Sequence, residues 1–475
     1  MSGNYDNCSP SPDSTGTNTT GQASQRVGSH VIPSPWRPRG RGRVGEGVES
    51  GRPLLRRLPA RDVSYGSVLA FAATVCFIAT LVMAGCGGTG TLGGSPPLDP
   101  EKLNAVFVSR APTLDGDPSD AEWATAPELT FATGEGMDTS LASFPCATCH
   151  AQSGPITVSM RAVYTSDRIY FLVRWPDSTA SLTRRDAWTY LFGNWVKLSS
   201  GQSEDRLSLF FPIGQIRGDD FNTGGCMTKC HVTDNHNSGA CGQECHMPVK
   251  TRGVTGWRDE VYLAEGKADL WHSKAARGMA ALGATSADAV ADEDTNEMIG
   301  GTLTLLGYCD DEYVTQYTDE ELGGRLPDEG EGADVLNATA SKSAPLFMEK
   351  NPTDYADAMV LTQNEIDAGE CYGHPVNGVT KAEANQAWPK YKALGAVVPE
   401  RILRAPSGSR ADVRMAATWR DGWWTAELSR ALDTGRPDDV CFVPGQGYVF
   451  GLAIMDNSGG GRHFPARKRI LMLYR

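Results

Sequence analysis

Three times this chain places a histidine directly after the second of two closely spaced cysteines. Cys146-Ala-Thr-Cys149-His150 is a strict C-x-x-C-H. Cys226-Met-Thr-Lys-Cys230-His231 and Cys241-Gly-Gln-Glu-Cys245-His246 each carry one more residue between the cysteines. In an exported protein, C-x-x-C-H is the attachment pattern of a covalent c-type haem. The two thiols add across the two porphyrin vinyl groups, and the histidine that follows becomes the proximal iron ligand. A C-x-x-x-C-H loop can span the same two vinyls. The expectation is three haems c, with His150, His231 and His246 as proximal ligands. Two other readings compete. Zinc would find only three ligands in each cluster, one short of a closed structural site. Cys226, Cys230, Cys241 and Cys245 could form two disulfides in an oxidising compartment, but disulfides require no histidine after each second cysteine.

Covalent haem implies export, and the N-terminal fifth of the chain reads that way. Residues 1–52 are rich in Ser, Gly, Thr, Asn, Pro and Arg without apolar periodicity, as expected of a disordered extension or of a start codon placed too far upstream. Residues 53–86 combine a basic patch (Arg56, Arg57, Arg61), an apolar run from Val68 to Gly85 and Cys86, which is an export signal. Met83-Ala84-Gly85-Cys86 resembles a lipobox, with Cys86 as the lipidated mature N-terminus. An uncleaved anchor is the alternative, since the apolar run is close to the lower limit for spanning a membrane. Residues 87–103 read as a tether, and 104–475 as one folded domain. Every variant places that domain outside the cytoplasm, on the periplasmic side or at the cell surface.

The chain holds 44 basic and 57 acidic residues; 9 and 5 of these fall in residues 1–85, so the exported part carries 35 against 52, a net of −17. Such a surface excludes nucleic acid as a partner and suits either a basic redox protein or plain solubility. Twelve cysteines are present. After the six of the motifs, Cys86 and the upstream Cys8 and Cys76, there remain Cys309, Cys371 and Cys441, among which one disulfide is expected.

The domain reads as mainly β. Residues 105–109 form a strand. Residues 156–175 alternate with period two around a turn at Thr165–Arg168, the pattern of a hairpin. Residues 205–213, 411–419, 423–430, 448–455 and 470–474 add strands, with a hairpin across Arg420-Asp421-Gly422. Trp123 follows a turn-rich Asp115-Gly116-Asp117 and is expected to plug one end of the fold. Residues 265–281 read as a helix with Leu270, Ala275 and Met279 on one side. Residues 283–400 read as a long insertion, with a strand at Thr302–Leu306 and a short helix from Lys381 to Trp388 stopped by Pro389. Strands at both ends of the domain point to an antiparallel β-sandwich with haem-bearing loops and a few short helices.

Several short pieces, in their order along the chain, resemble one family. They are Leu114-Asp-Gly-Asp117 with Glu122-Trp123, Val173-Arg-Trp-Pro-Asp177, Glu204-Asp-Arg-Leu207, Asp269-Leu-Trp-His-Ser-Lys274, and Trp419-Arg-Asp-Gly-Trp423. Together they resemble the haem-binding domain of the ethylbenzene dehydrogenase γ subunit and of dimethyl sulfoxide reductase-like cytochromes. The resemblance implies a sandwich similar to a carbohydrate-binding module. In the dehydrogenase members it implies one b-type haem with Met and Lys axial ligands, which receives electrons from an iron–sulfur subunit. The covalent motifs set this chain apart and place it with a multihaem, lipid-anchored branch.

Each haem needs a second ligand or an open site. Outside the motifs the exported part has only His236, His272, His374 and His463. His236 lies between two motifs and His272 beside Trp271, which would wall a haem face; His463 follows a glycine run. Met227 and Met247 adjoin the motifs. Lys274 is the lysine that the resemblance suggests as a ligand, but a lysine must lose its proton to bind iron, at about 4–5 kcal/mol at neutral pH. A neutral histidine is available without that cost. On a helix, His272 and Lys274 would point to different sides, leaving Lys274 to pair with a haem propionate. The functional expectation is a multihaem electron-transfer cytochrome. Its redox partner would be an iron–sulfur subunit, a molybdoenzyme subunit or another cytochrome. The alternative is a haem enzyme with an open axial position.

Overall fold

A computed structural model describes residues 102–133, 156–184, 186–198, 203–213, 267–315, 329–457, 464–466 and 469–474. The first half contributes β1 (Lys102–Phe107), α1 (Ala121–Thr125), β2 (Leu129–Ala132), β3 (Thr157–Tyr164), β4 (Arg168–Pro176), β5 (Trp188–Leu191), β6 (Asn194–Lys197), β7 (Arg206–Ile213) and β8 (Lys267–Lys274). Next come β9 (Gly283–Ala291), β10 (Met298–Tyr308), β11 (Asp310–Thr315), β12 (Asp334–Leu336), β13 (Phe347–Glu349), α2 (Tyr355–Met359), α3 (Gln363–Asp367), β14 (Cys371–Gly373) and α4 (Lys381–Ala393). The chain continues through β15 (Arg401–Leu403), β16 (Arg414–Arg420), β17 (Trp423–Ala431), β18 (Gly447–Met455), β19 (Phe464–Pro465) and β20 (Arg469–Leu473).

One sheet dominates, in the order β11-β8-β7-β18-β20-β1-β3-β4-β17-β16-β10-β9, with β2 on β3 and β19 on β18. Its pairs are antiparallel except where β1 lies parallel to both β20 and β3. The sheet is folded over as a sandwich. Phe171 on β4 meets Phe211 on β7 and Trp271 on β8, at ring distances of 6.2 and 5.6 Å, although these strands are far apart in the strand order. Trp175 stacks on Trp424 of the neighbouring strand at 6.1 Å. These rings are almost wholly buried, and each stabilises the fold by about 1.5–3 kcal/mol.

Trp123 closes a smaller cluster on the outer face of β3 and β4, with Val163, Tyr170 and Leu172. Its indole N–H donates to Glu427 Oε1 at 2.7 Å, and the Asp115 and Gly116 N–H groups donate to Oε2 at 3.0 and 2.8 Å. Gly116 has φ +78°, and a Cβ there would stand 2.5 Å from Thr418 Oγ1, so the turn that reaches Glu427 requires glycine.

Four expectations are corrected. Residues 267–274 are strand β8, followed by turns, rather than part of a helix. The apolar spacing misleads because both faces of β8 are covered, and its buried residues run unbroken from Ala268 to Lys274. Residues 283–308 are no surface excursion: β9 and β10 complete one edge of the main sheet, with Leu303 and Leu305 fully buried against β16. The expected helix does start at Lys381, behind a Thr380–Glu383 capping box, but it runs past Pro389 to Ala393. Lastly, Cys309 and Cys371 are free thiols while Cys441 is disulfide-bonded, so no disulfide joins these three.

Candidate functional site

Of the sequence-derived site residues, the structure describes Trp271, His272 and Lys274, together with His374. Cys146, Cys149, His150, Cys226, Cys230, His231, Cys241, Cys245, His246, His236, His463, Cys86, Met227 and Met247 lie outside the described residues. His374 is exposed, and its Nδ1 accepts the backbone N–H groups of Val376 and Asn377 at 3.2 and 3.4 Å.

Strand β8 runs between β7 and β11. Pleating sends alternate side chains to opposite faces, so His272 and Lys274 share one face and Asp269, Trp271 and Ser273 share the other. The expectation of different sides therefore fails together with the helix. Register places Ser208 and Asp310 either side of His272, with Arg206 beside Lys274. This face is polar yet closed: His272 is 9% exposed, Lys274 3% and Glu312 4%.

The Lys274 ammonium donates to Asp310 Oδ2 at 2.8 Å and to Glu312 Oε1 at 2.5 Å. It also lines a cleft of about 380 Å³ with Arg277, Arg401, Arg404 and Arg410, where cations outnumber the acids Asp310, Glu331 and Asp334. His272 is different. Its Nδ1 stands 3.7 Å from Glu312 Oε1, beyond hydrogen-bond reach, and neither ring nitrogen has a hydrogen-bond partner. Burial, with the Lys274 charge beside it, holds the imidazole well below the usual histidine range, against an opposing pull from Glu312. At neutral pH the ring is therefore uncharged and one nitrogen keeps a free lone pair. A buried polar group left unsatisfied costs about 1–3 kcal/mol and demands a reason, such as an ion or a prosthetic group. The donor chemistry of His272 fits an iron ligand.

On the opposite face Trp271 is fully buried among Phe171, Phe211 and Phe442. It cannot wall a group bound on the His272 side. Beside it the Arg430 guanidinium stacks at 4.8 Å and pairs with Asp269, with Asp311 and Asp439 at 3.9 and 3.5 Å.

The family model described as Ethylbenzene dehydrogenase matches residues 120–465. The chain belongs to the ethylbenzene dehydrogenase family. Within the solved structures, this family member is similar to a carbohydrate-binding module of family 9 from Caldicellulosiruptor kristjanssonii in complex with glucose, with 6% identity, a TM-score of 0.21, and coverage of 77% of this chain and 84% of that one. No curated protein matches it.

The motif pieces of this ethylbenzene dehydrogenase family member also assemble charged groups that sequence reading missed. Glu204 is buried and meets Arg277 at 2.7 Å, Arg206 at 3.2 Å and Arg184 at 3.5 Å. Burial pushes its carboxyl up, yet the three guanidinium groups hold it well below the usual range. Asp177 and Asp205 come together with Asp456, each buried, with their oxygens within 4.8 Å of one another. Asp177 and Asp205 stood in the quoted pieces, but nothing in one dimension says that they meet.

Proposed function

We propose that this chain is a multihaem c-type cytochrome that carries electrons outside the cytoplasm, as partner or subunit of a respiratory oxidoreductase. The observation that carries this reading is His272: buried, neutral, and unpartnered at both nitrogens. It gains weight from the three Cys/Cys/His motifs. Haem c, when bound, supplies one-electron exchange at iron; the protein sets ligand, spacing and exposure. Here Cys146 and Cys149, Cys226 and Cys230, and Cys241 and Cys245 would hold the porphyrins, with His150, His231 and His246 as proximal ligands. His272 would take a distal position. Burial keeps its lone pair unprotonated, and Asp310 and Glu312 engage the Lys274 ammonium, which would keep Lys274 out of the coordination shell of a bound iron. Lys274 and its arginine-lined cleft would meet propionate charge. Cys86 would carry the lipid anchor.

The test is the mass and the spectrum of the matured protein. Denaturing mass spectrometry should show three haems, and His272→Ala should turn one of them high-spin or ligand-exchangeable while Lys274→Ala leaves the low-spin spectrum intact. A chain with no covalent haem overturns the reading. Carbon monoxide binding to the reduced wild type would favour a haem enzyme with an open axial site.

A further inference from the structure

We propose that the outer face of β4, β17 and β16 holds a binding site for a small dicarboxylate, a site that goes beyond the haem reading and stands or falls without it. The site follows from strand register. Tyr170 of β4 stands opposite Ser429 of β17, Ser429 opposite Arg414 of β16, and Arg414 opposite Tyr308 of β10. Cross-strand partners share a face of the sheet, so these four side chains form one row. Arg168, two residues before Tyr170 on β4, lies on that face as well. Arg168, Tyr170, Ser429, Asp412 and Arg414 line a cavity of about 420 Å³, together with Pro112 from the segment after β1. A cavity of that volume takes a small molecule.

What calls for an anion is the state of the two arginines. The Arg168 guanidinium donates to Ser429 Oγ at 2.9 Å and to the Ser429 carbonyl at 3.3 Å. The Arg414 guanidinium lies over the Tyr308 ring at 4.3 Å. Among the described residues neither has a carboxylate partner, although acids outnumber bases 52 to 35 in the exported part. A guanidinium carries five N–H donors, so Arg168 keeps donors beyond those given to Ser429. The cavity's own acid, Asp412, is already engaged by Arg436 Nε at 2.8 Å. Two positive charges are therefore left facing the cavity. Their placement sets the ligand. Ser429 and Tyr308 hold the two guanidinium groups over strands β17 and β10, two strands apart, which is about 10 Å at the usual strand spacing. A single phosphate or carboxylate cannot engage both across that gap. Two carboxylates on a short carbon chain can, each accepting a bidentate pair of N–H donors.

The experiment is a calorimetric titration of the full chain with succinate and glutarate, and with acetate and inorganic phosphate beside them. One dicarboxylate should bind per chain and raise the melting temperature, while acetate and phosphate should bind at least about tenfold more weakly. The affinity should fall as sodium chloride rises, because the site opens to solvent. Arg168→Gln and Arg414→Gln should each weaken dicarboxylate binding at least about tenfold. Arg174→Gln should leave it unchanged, since Arg174 lies on the same face of β4 but over Trp423, outside the cavity. Arg414 is exposed, so its substitution spares the fold and decides the matter should Arg168→Gln fail to fold. The proposal is wrong if neither dicarboxylate titrates, if phosphate binds as tightly as succinate, or if dicarboxylate binding survives Arg414→Gln undiminished.

Discussion

Among the described residues the sandwich holds two buried clusters of three aspartates, and they answer the same electrostatic problem differently. Asp269, Asp311 and Asp439 surround Arg430, which is completely buried and brings the positive charge as part of the chain. In the other cluster Asp177 and Asp205 lie beside Asp456, and burial with the neighbouring acids pushes both carboxyls well above the usual range. An arginine fixes its charge once the strands pair, whereas a carboxyl held neutral takes its proton from the solvent. The first arrangement makes stability a property of the sequence; the second makes it also a property of the pH.

The largest effect should come from removing the built-in charge. Arg430→Met leaves up to three buried carboxylates without a partner and should cost about 3–5 kcal/mol in urea unfolding, the usual result of breaking one side of a buried ion pair. A cost below about 1 kcal/mol would mean that these aspartates are already neutral and that the two clusters do not differ.

Next in size is a loss of pH dependence. Asp177→Asn replaces a carboxyl held neutral by an amide of the same shape, so it should cost little near pH 5 and stabilise by about 1 kcal/mol near pH 8, where the wild-type carboxyl is pressed to ionise. Arg430→Met should destabilise at both pH values. The same effect of Asp177→Asn at both would erase the contrast.

The smallest effect is in pH. Glu297, raised to about 7 by burial and by Asp456, is favoured protonated in the folded chain. Its contribution is present below about pH 4.5 and is lost as pH rises through 7, by about 1–2 kcal/mol after discounting for solvent screening. Glu204 runs the other way. Its carboxyl is held well below the usual range, so its stabilisation is present at neutral pH and lost only in acid. Glu297→Gln should flatten the first slope between pH 5 and 8 and leave the second untouched, and unfolding curves of both proteins across that range read the difference.

The alternation in 157–176, 414–431 and 447–455 made those strands legible, because one face of each carries a clear apolar set. β8 was misread since Asp269 to Lys274 are buried on both sides, and polar residues inside the fold look like a helix's exposed stripe. β9 was unreadable for another reason: Gly283, Ala284, Thr285 and Ser286 pair by backbone and bury little. At the candidate site, His272 was nominated by its residue type alone. That His272 and Lys274 share a face, or that Asp177 meets Asp205, depends on strand period and pairing across distant segments, and only the fold supplies these.

β1 lies between β3 and β20, so Lys102 pairs with Ile470 while Ala105 also meets Ala162. Tyr164 then donates its hydroxyl to the Tyr474 carbonyl. The first strand of the sheet thus waits for the last. During synthesis β1 has one neighbour early and its other neighbour only after some hundreds of residues have followed, and contacts of such long sequence separation form slowly. This chain cannot close its sheet while it is being made, and it stays loose until it has all arrived.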